Sequence, residues 1–106
     1  MEMDEKLVKT VIQRILSVAS PEKIIVFGSA AAGTMSDDSD LDLLVIERDF
    51  VDHRRENLRL RSALADLGVP VDVFAMTSDR FAETKNVFGG LAYPAHKYGK
   101  VIYEAT

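Results

Sequence analysis

The chain contains no cysteine. That excludes a disulfide framework, a thiol nucleophile and thiolate metal sites, and it fits a reducing, cytoplasmic setting. A basic excess is also missing: 13 Lys and Arg stand against 17 Asp and Glu, for a net charge of −4. The global positive field of a dedicated nucleic-acid binder is therefore absent, although a local basic patch is still allowed. No apolar run approaches the roughly 20 residues needed to span a bilayer, so no membrane partner is expected. The first residues, MEMDEK, mix acidic and basic side chains and lack the basic stub and apolar core of a signal peptide. Neither an internal repeat nor a low-complexity linker interrupts the chain. With 106 residues, 47% hydrophobic and 28% charged, residues 1–106 are expected to form one globular domain.

What is present reads as alternating helices and strands. Residues 4–19 carry Leu7, Val11, Ile15 and Val18 at helical spacing, and Pro21 follows the stripe. KIIVFG (23–28) is a short continuous apolar run, the pattern of a strand covered on both faces. DLDLLVIE (40–47) reads as a second strand and PVDVFAM (70–76) as a third. Between them, residues 51–67 place Leu60, Leu64 and Leu67 on one helical face, with Gly68 and Pro70 beyond. TSDRFAETK and AYPAHKYG read as short helices, and KVIYE (100–104) as a closing strand. The fold class is α/β: a small mixed sheet of about four strands flanked by helices.

The chemistry concentrates in VFGSAAAGTMSDDSDLDLLVIE, residues 26–47. Side chains at i and i+2 of a strand share a face, so Asp40 and Asp42 point one way while Leu41, Leu43 and Val45 point the other. Asp72 interrupts the apolar third strand between Val71 and Val73. Burying unpaired charge is costly, and like charges on one sheet face repel. Three carboxylates on neighbouring strands would be reconciled by shared divalent cations, and such oxygen ligands suit Mg²⁺. The plain structural alternative is an exposed sheet edge with Asp72 paired to an arginine of the 51–67 helix. Asp37 and Asp38 read as loop residues.

Gly28-Ser29, at the end of a strand, also has two readings. One is an ordinary capped turn. The other is a phosphate cradle, in which glycine admits close backbone approach and free N–H groups face an anion. Neither Gly-Lys-Ser/Thr nor G-x-G-x-x-G spacing follows, so this is no P-loop or dinucleotide fingerprint. His53 and His96 are isolated and read as surface or capping residues. The arginines of the second helix read as a solvated face, an acidic-partner surface or an RNA contact, and Tyr93, Tyr98 and Tyr103 as core or interface residues.

Taken together, Gly28-Ser29, Asp40-x-Asp42 at a strand start and Asp72 in a following strand resemble the DNA polymerase beta-like nucleotidyltransferase superfamily. Within it the chain is most similar to the minimal nucleotidyltransferase (MNT) family. The resemblance spans nearly the full length, through GSAAAG, SDLDLLV, VPVDVF and GKVIYE. It implies a two-metal transfer of a nucleoside monophosphate to a hydroxyl. Asp40, Asp42 and Asp72 would be catalytic and would hold two Mg²⁺ ions, with Mn²⁺ as an alternative. Gly28 and Ser29 would bind the phosphates of a nucleoside triphosphate, with ATP expected. The implied partner is a helical HEPN ribonuclease toxin, adenylylated on a tyrosine by this chain acting as antitoxin. A silent binding module and a subunit of an antibiotic-modifying enzyme are the competing functions, and homo-oligomerisation stays open. The family segment usually reads G-S-x-A-R-G; here Ala32 stands at the arginine position. Lys23 or an arginine of the second helix is the expected replacement.

Overall fold

A computed structural model describes residues 5–28 and 41–106. Eight elements follow in the order α1 (Glu5–Leu16), β1 (Lys23–Phe27), β2 (Leu41–Glu47), α2 (His53–Ala63), β3 (Val71–Thr77), α3 (Ser78–Thr84), α4 (Ala92–Tyr98) and β4 (Lys100–Glu104). The sheet order is β3-β2-β1-β4. β1 runs antiparallel to both β2 and β4, and β2 runs parallel to β3. The expected mixed four-stranded sheet flanked by helices is the observed one.

Two packed layers cover the sheet, and strand alternation decides which residues enter each. Leu41, Leu43 and Val45 join Ile24, Val26, Val73 and Ala75 on one face. Val11 and Ile15 of α1 close over them with Leu60 of α2 and the adjoining Leu64. Leu44 and Ile46 point to the other face with Ile25, Phe27 and Met76, covered by Phe81 of α3 and by Ala92 and Ala95 of α4. Asp42 shares this second face by parity. Its carboxylate therefore opens beside an apolar layer, at the end of the sheet where β2 begins.

Helix ends follow local chemistry. α1 stops at Leu16, where the Ser17 hydroxyl donates to the Arg14 carbonyl at 2.6 Å. This is earlier than the expected end near residue 19, although Val18 and Ala19 still pack on the first core layer. Asp52 caps α2, accepting from the backbone N–H groups of Arg54 and Arg55. Thr77 caps α3 in the same way through Arg80. α2 ends at Ala63 because the Leu64 N–H turns back to the carbonyls of Arg61 and Ser62. Leu64 and Leu67 still pack on the core beyond the helix, so the apolar stripe outruns it.

Candidate active site

β2 and β3 pair in parallel from Leu41↔Val71 to Glu47↔Thr77, and Asp42 stands directly opposite Asp72. Register partners share a sheet face, and adjacent strands lie about 4.8 Å apart. The two carboxylates are thus neighbours at the same end of the sheet. Both are partly accessible, whereas Leu41, Leu43 and Val73 around them are buried. The register is held at this end by the Leu41 N–H, which donates to the Pro70 carbonyl at 2.8 Å. Farther along, the Asn57 side chain of α2 accepts from the Ala75 N–H at 2.6 Å and satisfies the outer edge of β3.

Gly28 completes this corner. Phe27 pairs with Asp42 across β1 and β2, and the chain leaves β1 through Gly28 at φ +76°. L-residues with side chains adopt this left-handed backbone at a cost. A Cβ on Gly28 would also overlap the Asp42 Oδ2 atom. The Asp42 carboxyl therefore lies over the bare α-carbon of Gly28, and a side chain there would have to displace it. Ser29, Asp40 and Ala32, like Asp37 and Asp38, lie outside the described residues.

The expected alternative for Asp72, an ion pair with an arginine of α2, is absent among the described residues. Asp72 shares the α3/α4 face, whereas α2 packs its Leu60 on the opposite face. Arg59 instead pairs with Glu56 at 2.9 Å and donates to the Val18 carbonyl. Lys23, the other expected stand-in for a phosphate-binding arginine, lies away from this corner. It begins β1 four residues before Phe27, about 13 Å along the strand, and pairs with Glu104 at 3.7 Å. Arg54, Arg55 and Arg61 line a groove on α2 with Leu58. His53 and His96 are exposed and pack edge-on against Phe50 and Phe81.

A second carboxylate cluster, with no signal in the sequence, lies at the far end of β2. Glu47 and Glu56 are both buried. Burial and the adjoining Glu56 push the Glu47 carboxyl up to about 8, while the Arg59 guanidinium bonded to Glu56 holds that carboxyl low. When Glu47 is ionised, its buried Oε2 meets no donor among the described residues. When protonated, it can share its proton with Glu56.

The donors gathered at the β2–β3 corner are carboxylate oxygens on a glycine cradle, a set that suits a hard divalent cation. Among the described residues no group of three metal-ligating side chains occurs; the third aspartate, Asp40, falls outside them. Residues 5–93 match the family model of the nucleotidyltransferase domain. The chain belongs to that family, a transferase class whose members generally use divalent metal ions.

Its fold is that of the MNT chains in toxin–antitoxin complexes. One solved structure, a toxin–antitoxin with AMP-PNP, superposes with a TM-score of 0.59 at 21% identity, covering 92% of this chain and 73% of the other. A second, the toxin–antitoxin MntA-HpeT with two Asp-to-Glu changes at alternate positions, gives 0.62 at 20% identity with the same coverage. A third is a tri-AMPylated Shewanella oneidensis HEPN toxin in complex with MNT antitoxin. It gives 0.54 at 18% identity and covers 97% of this chain and 74% of the other. No curated protein matches the sequence.

Proposed function

We propose that this chain transfers AMP from ATP to a tyrosine hydroxyl of a HEPN-type toxin and so acts as its antitoxin. The observation that carries the reading is the opposition of Asp42 and Asp72 over the Gly28 turn. Two carboxylates side by side on adjacent strands are a donor set that suits a hard divalent cation. Membership of the nucleotidyltransferase family supplies the reaction class. A nucleotide analogue in one relative's complex and an AMPylated toxin in another support the donor and the acceptor. Alternate aspartates altered in the MntA-HpeT complex echo the spacing of Asp40 and Asp42.

In this reading Asp40, Asp42 and Asp72 hold Mg²⁺, or Mn²⁺ in its place, and Gly28 and Ser29 receive the triphosphate. The bound metal supplies Lewis acidity at the phosphoryl oxygens and lowers the pKa of the acceptor hydroxyl. The residues of the chain contribute placement. The parallel register fixes the Asp42–Asp72 separation, and the bare α-carbon of Gly28 leaves room for the Asp42 carboxyl beside the turn. The absence of an arginine at position 32 favours a second reading, in which the chain neutralises its partner by contact alone. Mass spectrometry of the partner after co-expression separates the two. An AMP adduct on tyrosine supports transfer, and an unmodified but neutralised partner supports contact.

A further inference from the structure

α2 buries only two of its side chains, Leu60 and Glu56. A short helix depends on tertiary packing for its stability, and a single apolar anchor leaves this one weakly held. The rest of its attachment is polar. By strand alternation Glu47 shares the face of Leu41, Leu43 and Val45, which α2 covers. There its carboxyl meets that of Glu56, and each residue is only 7% exposed. Two carboxylates in contact away from water need a proton or a cation between them. The nearest cation is already committed: Arg59 forks onto Glu56 through Nε at 3.1 Å and Nη2 at 2.9 Å, and donates to the Val18 carbonyl. The surrounding elements bring no other charge to Glu47 among the described residues. Lys23 of β1 lies across the sheet and pairs with Glu104, and Glu22 accepts from the Ser78 hydroxyl. Arg14 of α1 donates to the Ala63 carbonyl, Asp52 caps α2, and His53 rests edge-on against Phe50. Arg48, Asp49, Asp79 and Arg80 are exposed.

We propose that one proton held between Glu47 and Glu56 latches the first turns of α2 to the end of β2, and that its release opens them and uncovers the outer edge of β3. β3 is an edge strand, and its Ala75 N–H donates to the Asn57 side chain of α2 at 2.6 Å. That amide loses its acceptor when α2 lifts. The C-terminal end of α2 keeps its own ties, Arg14 on the Ala63 carbonyl and Leu64 in the core, so the opening is local. Titration agrees with the geometry. Burial pushes the Glu47 carboxyl up to about 8 in the latched form, whereas in water it returns to the ordinary 4.5. Between these values opening releases one proton, and each pH unit favours the open form about tenfold. Glu56, held low by Arg59, stays ionised across that range. β3 also carries Asp72, so the latch acts on the strand that enters the candidate site, but it does not depend on the proposed transfer.

Amide hydrogen exchange of the full chain, resolved by residue with NMR and corrected for the intrinsic rate at each pH, tests the latch. In wild type the protection of amides 57–60 and of Ala75 should fall together, about tenfold per unit between about pH 5 and 8, and level off above that. Their exchange should barely respond to low urea, the mark of a local opening, whereas that of Val45 in the sheet centre should rise with it. Glu47→Gln puts an amide donor where the proton sits and should keep α2 and Ala75 protected throughout. Asn57→Ala should strip protection from Ala75 alone and leave the pH dependence of α2 as in wild type. Protection of α2 that stays level with pH in wild type would overturn the inference. So would an equal decline in Glu47→Gln, or a urea dependence of α2 exchange matching that of Val45.

Discussion

Asp42 and Asp72 face each other from adjacent parallel strands, one residue pair into the ladder that begins at Leu41 and Val71. The arrangement sets two carboxylate residues on neighbouring strands, whose backbones run about 5 Å apart, at the mouth of a sheet whose neighbouring positions are buried. Removing one of them should relieve repulsion and leave the fold intact. Asp72→Asn is expected to raise apo stability by about 0.2–1 kcal/mol, or leave it unchanged. In the wild-type chain, Mg²⁺ and ATP together should raise Tm more than either alone, and at a hundredfold excess over Kd the gain is about 2.7 kcal/mol. Asp72→Asn should lose that shift. Differential scanning fluorimetry reads both effects, and a retained shift would remove Asp72 from the site.

Gly28→Ala tests the corner from the other side. The left-handed backbone alone costs about 1–2 kcal/mol for a residue with a side chain, and the new Cβ must displace the Asp42 carboxyl. Urea unfolding should show at least that loss, and the Mg·ATP shift should disappear with it. A stable variant that still binds Mg·ATP would show that the turn has room for a side chain.

The strands were legible in the sequence nearly to the residue, because each is a compact apolar run bounded by Gly, Pro or charge. The faces of Leu41, Leu43 and Val45 followed from alternation alone. The opposition of Asp42 to Asp72 was only half visible: both residues could be placed on strands, but the register depends on how far α2 carries the chain back before Pro70. The end of α2 is hidden in the sequence because Leu64 and Leu67 continue the apolar stripe after the backbone has left the helix. Glu47 gave no signal. A glutamate closing a strand reads as solvent-facing, and its burial arises only when α2 folds back and sets Glu56 beside it. Phe88 and Tyr98 were equally opaque, since an apolar composition does not tell an exposed ring from a core one.

Glu47 makes stability depend on pH in a definite direction. Its carboxyl is raised to about 8 in the folded chain from the ordinary 4.5, so the native state holds a proton that the unfolded state has released. The contribution is complete below pH 4.5 and is lost as pH rises through 8. Glu56 has the opposite sign. Its lowered carboxyl contributes above 4.5 and loses that contribution in acid. Glu47→Gln should therefore flatten the decline between pH 5 and 9 and stabilise the chain at pH 9 by about 1–3 kcal/mol, the cost of a buried unsatisfied group. Denaturation midpoints across that range check it, and parallel curves for variant and wild type would contradict it.

Ala32→Arg restores a cation where the resembling family carries one. A charge-assisted contact is worth about 1.5–3 kcal/mol, so the Kd for ATP should fall roughly tenfold to a hundredfold. Calorimetry with Mg·ATP gives the answer. An unchanged Kd would mean that position 32 does not meet the phosphates.

The most direct test of chemistry against contact is AMP transfer to the co-expressed toxin by wild-type chain and Asp42→Asn, followed by intact-mass spectrometry. The account predicts a mass increase of one or more AMP units on a toxin tyrosine with wild type. It predicts no adduct and a toxic partner with Asp42→Asn, at unchanged melting temperature and unchanged toxin binding. A toxin neutralised equally by both chains, with no AMP adduct in either, would contradict it.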